Sequence, residues 1–278
     1  MPIADVSDQP LARLTSLKDR VAVVTGAAKG IGLAVCRRFA EAGAHIVLAD
    51  IDKLEMDRAA AAITKDFNVR TESVLTDVTD EKALTALADT AVRVMGRLDI
   101  WVNNAGIFPG RSTLDLTVDE WDNVQAINLR GTFIGSREAA RRMSVPGKDG
   151  VKGGVIINMA SVAGFRGRPG LAAYSSSKHG VIGLTKSLAL EFGPANIRVL
   201  GIAPTGVLTP GVTSRMMVAA GEEMDRIKSM EQQMAKSVPL GRLGVADDVA
   251  RVAVFCASDM SMLMTGATIP VDAGAMLP

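Results

Sequence analysis

Tyr174 and Lys178 stand four residues apart in the run Tyr174-Ser175-Ser176-Ser177-Lys178. On a helix, positions i and i+4 share a face, so the two side chains project side by side. An ammonium beside a phenol stabilises the phenolate and lowers the tyrosine pKa from about 10. A proton-transfer group working near neutrality requires such a shift. Tyr174 is also the single tyrosine of the chain. The same pair describes many solvated helix faces, so the reading needs support from other residues.

A second cluster is Thr25–Gly32, TGAAKGIG, with glycines at 26, 30 and 32. Glycines after a strand allow a tight turn into a helix and a close approach of backbone to pyrophosphate. The helix N-terminus that follows offers free N–H groups and a positive dipole end to phosphate. A tight turn alone is the plainer alternative. Asp50 lies roughly twenty residues beyond the loop, where a carboxylate can hydrogen-bond both ribose hydroxyls of an adenosine. That charge disfavours a 2′-phosphate and so favours NAD over NADP. Lys29 pulls the other way, but Asp50 carries more weight because its charge must be overcome first.

These residues need elements to position them. Short apolar runs recur at 21–25, 45–50, 69–75, 98–103, 154–160, 197–203 and 267–272, separated by amphipathic stretches at 31–42, 53–65, 81–95, 118–143, 173–192 and 246–257. Near-continuous apolar strands alternating with helices imply a parallel sheet covered on both faces. The expected fold is α/β: one doubly wound, Rossmann-type domain over 19–278 with a seven-stranded parallel sheet, after a polar tail at 1–18. Two segments break the rhythm. Ser144–Gly153 reads as a Gly-rich loop. Gly206–Leu240 is helical in composition and carries Met216, Met217, Met224, Met230 and Met234. It reads as ordinary helix packing or, equally, as a lid over a nonpolar substrate.

The 278 residues carry 31 basic and 30 acidic side chains and are 48% hydrophobic. That balance points away from nucleic acid and anionic membranes as partners. With no secretory pattern and no run of 18 apolar residues, a soluble cytoplasmic protein is expected. Cys36 and Cys256 read as buried thiols, His45 and His179 as structural, and no metal site is expected.

Taken together, these motifs resemble the short-chain dehydrogenase/reductase family from about Leu17 to the end. TGAAKGIG is similar to that family's TGxxxGxG loop, and Asn103-Asn104-Ala105-Gly106 to its NNAG motif. Asn128, Ser161, Tyr174 and Lys178 match its catalytic tetrad, with Ser161 thirteen residues before Tyr174. The resemblance implies an NAD-dependent oxidoreductase acting between a secondary alcohol and a ketone. It implies that Ser161 hydrogen-bonds the substrate oxygen, Tyr174 exchanges the alcohol proton, Lys178 holds the nicotinamide ribose, and Asn128 anchors a relay water. It places the NAD cofactor against Gly26, Lys29, Gly30, Ile31 and Gly32 of the loop, and against Asp50. Asp77 and Val78 fall at the adenine, and Asn104, Ala105 and Gly106 at its ribose. Pro204, Val207 and Thr209 fall at the nicotinamide. Thr205 departs from the family's usual Gly and Ala203 from its common Asn, which leaves pocket shape open. Relatives commonly form homotetramers through the Tyr-bearing helix and the C-terminal end, where Val271-Asp272-Ala273-Gly274 stands for VDGG.

The substrate pocket is expected from 106–111, 161–168, 208–211 and the Met-bearing segment. Phe108, Phe165, Met216 and Met217 suggest an apolar, cyclic alcohol. The alternative within enzymes is an NADPH-dependent 3-oxoacyl thioester reductase, for which Arg141, Arg142, Arg166 and Arg168 would have to meet an acyl carrier. From another class, a cofactor-sensing protein whose catalysis has lapsed is disfavoured because all four tetrad positions are filled.

Overall fold

A computed structural model of the chain describes residues 5–146, 153–209, 212–213, 217 and 224–277. Seven parallel strands form the central sheet. They are β1 (Val21–Thr25), β2 (His45–Asp50), β3 (Thr71–Leu75), β4 (Ile100–Asn103), β5 (Gly154–Met159), β6 (Ile197–Pro204) and β9 (Thr268–Val271). Their spatial order is β3-β2-β1-β4-β5-β6-β9. The doubly wound sheet is therefore as the alternating pattern implied, with strand ends shifted by a residue or two.

Successive strand residues point to opposite faces, so each apolar strand feeds two cores. Ala22 and Val24 enter the core shared with α2 (Gly30–Glu41), α3 (Lys53–Phe67) and α9 (Ala246–Ala257). Val21 and Val23 enter the opposite core with α4 (Glu81–Thr90), α6 (Gly131–Met143) and α7 (Ala172–Phe192). Cys36 and Cys256 are buried in the first core, and burial pushes both thiols up, Cys256 to about 12. Leu17 is fully buried in that core as well, so ordered packing begins ahead of the expected boundary at 18.

The stretch 118–143, expected as one helix, is interrupted. α5 (Val118–Gln125) runs into a π-helical turn at Ala126–Arg130 before α6 resumes. Such turns arise where a side chain must be offered out of register, and they cluster at functional positions. A parallel pair that periodicity could not show, β7 (Val207–Leu208) with β8 (Gly244–Val245), brackets the late insertion. Within it α8 (Met224–Lys236) packs Ile227 and Met230 against Leu208 and Val212. Met216 and most of the Gly-rich 144–153 loop lie outside the described residues.

Strand order reverses between β1 and β4, which leaves a crevice beyond their C-terminal ends. The glycine loop leaves β1 there and Asn104–Gly106 leaves β4 there.

Candidate active site

The glycine loop is held from the neighbouring strand. Thr25 Oγ1 accepts the amides of Asn104 at 3.0 Å and Ala105 at 3.1 Å. The Asn104 side-chain amide donates to the carbonyls of Thr25 at 2.9 Å and Gly26 at 3.0 Å. Gly26 sits at φ 65°, and a Cβ at Gly32 would stand 2.0 Å from the Gly26 carbonyl oxygen. One glycine is thus required by backbone conformation and the other by close approach. Lys29, at the N-cap of α2, gives that helix no side-chain cap, so its first amides remain available to an anion. By contrast α3, α4 and α5 are capped by Asp52, Asp80 and Thr117.

From this loop a cavity of about 900 Å³ runs to Tyr174. Every residue expected at the cofactor or the catalytic centre lines it except Gly32 and Asn128. Asp50 bridges two segments at its glycine-loop end, accepting from the amides of Ala28 at 2.9 Å and Asp52 at 3.0 Å. Asp77 accepts from the Thr79 amide and hydroxyl, both at 2.8 Å, and so shapes the turn after β3. The uncapped helix, the glycine cradle and the carboxylate beside the loop fit a dinucleotide.

Tyr174 lies in the first turn of α7, with the Ser161 hydroxyl beside its phenol. Ser161 is held by the Ala163 amide at 3.1 Å. Phe108 meets the Tyr174 ring edge-on with centroids 4.6 Å apart. Lys178 is on the same face, its Nζ 5.7 Å from the ring centroid. The ammonium donates to the Met159 carbonyl at 2.7 Å. Burial pulls Lys178 down to about 8. Burial also pushes Tyr174 up, with the Ser161 hydrogen bond acting in the opposite direction. This corrects one expectation: the shared face is present, but the net shift of Tyr174 is upward, because burial is the largest influence on it.

Asn128 is fully buried in the π-helical turn. Its Oδ1 accepts from the Ile107 amide at 2.9 Å, and its Nδ2 donates to the Ile107 carbonyl at 2.9 Å and to Ser177 Oγ at 3.2 Å. The side chain expected to anchor a water therefore grips the backbone beyond β4 and stays off the cavity wall. Its neighbour Ile127 lines the cavity instead, and sequence offered no sign of that.

The substrate end departs further from expectation. Phe108, Val162, Ala163, Leu171, Val212 and Met234 supply apolar wall. Phe165 is exposed away from this wall, as is Met217. Thr205 lines the cavity, whereas Ala203 is fully buried beneath it against Ala160 and Val181. Arg141 and Arg142 are held by the fully buried Glu138, at 2.9 Å and 2.6 Å, and Arg142 also pairs with Asp89 at 2.7 Å. His45 accepts from the Arg70 amide at 3.2 Å, and His179 Nδ1 lies 2.8 Å from the Ser175 carbonyl, both consistent with structural roles.

The family model for enoyl-(acyl carrier protein) reductase matches residues 26–276. Trans-4-hydroxycyclohexanecarboxylate dehydrogenase of Sinomonas cyclohexanicum is 37% identical over 261 residues, 92% of each chain. The structure of L-sorbose reductase from Gluconobacter frateurii with NADPH and L-sorbose superposes with a TM-score of 0.90 at 27% identity, covering 95% of this chain and 99% of that one. That of 3-ketoacyl-(acyl-carrier-protein) reductase from Brucella melitensis with NADH gives 0.83 at 33% identity, covering 94% and 100%.

Proposed function

Since the chain belongs to the short-chain dehydrogenase/reductase family of nicotinamide-dependent oxidoreductases, we propose that it oxidises an apolar, cyclic secondary alcohol with NAD through Tyr174. One observation carries this reading. Ser161 and Tyr174 stand together at one end of a cavity whose other end is the glycine loop. A hydroxyl lying between them has one group to orient it and another to take its proton.

When bound, the nicotinamide supplies the redox chemistry by accepting the hydride from the carbinol carbon. Ser161 hydrogen-bonds the alcohol oxygen and stabilises charge that develops there. Tyr174, as phenolate, removes the hydroxyl proton as the C=O bond forms, and returns it in the reverse direction. Lys178, one helical turn from Tyr174, would hold the nicotinamide ribose and lend its charge to the phenolate. Asn128 positions Ile107 and, through it, Phe108 over Tyr174. Asp50 binds the adenosine ribose and rejects a 2′-phosphate.

The cyclic substrate is supported by the apolar wall, and by the hydroxycyclohexanecarboxylate that the Sinomonas relative's name specifies. The test is NADH formation with a panel of cyclic secondary alcohols, acyclic polyols and 3-hydroxyacyl thioesters. Turnover confined to the thioesters would replace this reading by that of an acyl-thioester reductase. We also propose a homotetramer, for which the exposed Phe133 and Leu190 on α6 and α7 provide apolar surface. Light-scattering mass tests it.

A further inference from the structure

Charge is divided unevenly along the cavity. Asp50, Asp52 and Asp77, the carboxylates among its described lining residues, all belong to the glycine-loop end, beyond β2 and β3, where Lys29 and Lys53 accompany them. Two cations, Lys178 and Arg168, line the other end. Lys178 is committed to a carbonyl at 2.7 Å. Arg111, which approaches the same mouth through its amide's bond to the Gly170 carbonyl at 2.9 Å, is neutralised by Glu120 at 2.6 Å. Arg168 differs: among the described residues no hydrogen bond or ion pair engages its guanidinium. Its carbonyl accepts the Leu171 amide at 3.2 Å, which fixes its backbone just ahead of Tyr174-bearing α7, which begins at Ala172.

We infer that Arg168 is a specificity residue that binds a carboxylate carried on the substrate's ring, so that the substrate is a hydroxy acid rather than a neutral alcohol. The inference rests on the alcohol-oxidation reading above. A lone guanidinium fork matches one carboxylate, with two parallel N–H···O bonds. Phe108, against the Tyr174 ring, and Val162 and Leu171 give the cavity shared by Arg168 and Tyr174 apolar wall, which suits a hydrocarbon ring carrying both the carboxylate and the reacting hydroxyl. An anion here also meets no facing carboxylate among the described residues, whereas a cationic substrate would meet two positive groups. Arg168 acts on binding and register and does not touch the reacting atoms.

The experiment compares 4-hydroxycyclohexanecarboxylate, its methyl ester and cyclohexanol in the wild type, Arg168→Ala and Arg168→Lys. The acid should surpass both neutral alcohols in kcat/KM. Arg168→Ala should raise KM for the acid alone by about 10- to 100-fold, the range of a hydrogen bond to a charged group. kcat should change less, and Arg168→Lys should recover part of the loss. Equal use of acid and ester by the wild type, or an equal loss on all three substrates in Arg168→Ala, would overturn the inference and leave alcohol oxidation standing. If none of the three yields NADH, the oxidation reading fails instead. Calorimetric binding of cyclohexanecarboxylate, which needs no turnover, then decides for Arg168: weaker binding in Arg168→Ala supports it, and equal or undetectable binding in both refutes it.

Discussion

The Ala28 amide donates to the Asp50 carboxylate at 2.9 Å, joining the glycine loop after β1 to the end of β2. Loop shape and the negative charge beside it therefore form one unit. A substitution at Asp50 changes both unless the hydrogen bond is kept.

Asp50→Asn keeps an acceptor for Ala28 and removes the charge. It should retain NAD binding within a few-fold while its NAD-over-NADP ratio in kcat/KM falls by about tenfold or more, the scale of one like-charge clash relieved. Asp50→Ala should lose the ratio and weaken NAD binding too. Steady-state kinetics with both cofactors measure this, and a wild type that already prefers NADP would remove the basis of the argument.

Tyr174→Phe should lower turnover by about 10²- to 10⁴-fold, as loss of a positioned acid–base group does. NAD binding, followed by calorimetry, should be largely kept. Turnover at the wild-type rate in this variant would refute the proton-transfer role.

Because the chain has a single tyrosine, its ionisation is directly readable as tyrosinate absorbance. Burial pushes Tyr174 up, so the cofactor-free folded protein should show one tyrosinate transition displaced upward from the ordinary value of about 10. A transition below that value would mean that Lys178 does act on the phenol without cofactor.

Lys178 is pulled down to about 8 by burial, while the unfolded chain keeps its proton to about 10.4. Between those values the unfolded state binds more protons, so stability rises with pH across that window. Below about 8 the fold bears the buried charge in full. Lys178→Met removes this dependence. The wild-type-minus-variant difference in unfolding free energy should therefore grow in favour of the wild type by at most about 3 kcal/mol from pH 7 to 10.5. Urea midpoints at several pH values report it, and a constant difference would contradict it.

Gly32→Ala would place a Cβ 2.0 Å from the Gly26 carbonyl oxygen, so the loop must open. NAD binding should be lost or the protein should fail to fold. Gly183→Ala, on exposed helical surface with nothing within 4 Å, should instead stabilise the protomer by up to about 1 kcal/mol. Thermal melts with and without NAD separate the two outcomes.

The sheet was readable along the chain because a strand buried on both faces must be apolar at nearly every position, as Val21–Thr25 is. The motifs were readable for a similar reason. Gly26 and Gly32 are constrained by contacts no other residue can meet, and Tyr174 and Lys178 are brought onto one face by a single helical turn. Such constraints act over a few residues and leave a mark in spacing.

Contacts between distant segments leave no such mark. Asn128 faces Ile107 across 21 positions, and only the turn of helix between α5 and α6 aims its amide there. Lys178 reaches the Met159 carbonyl, and burial pushes Tyr174 up where the shared helix face alone implied a downward shift. Arg141 and Arg142 are neutralised by Glu138 on their own helix, whereas Arg168 is left facing the cavity. These three arginines look alike in sequence. Packing determines which charge is satisfied and which remains for a ligand, because ion pairing and desolvation depend on distance and burial rather than on residue type.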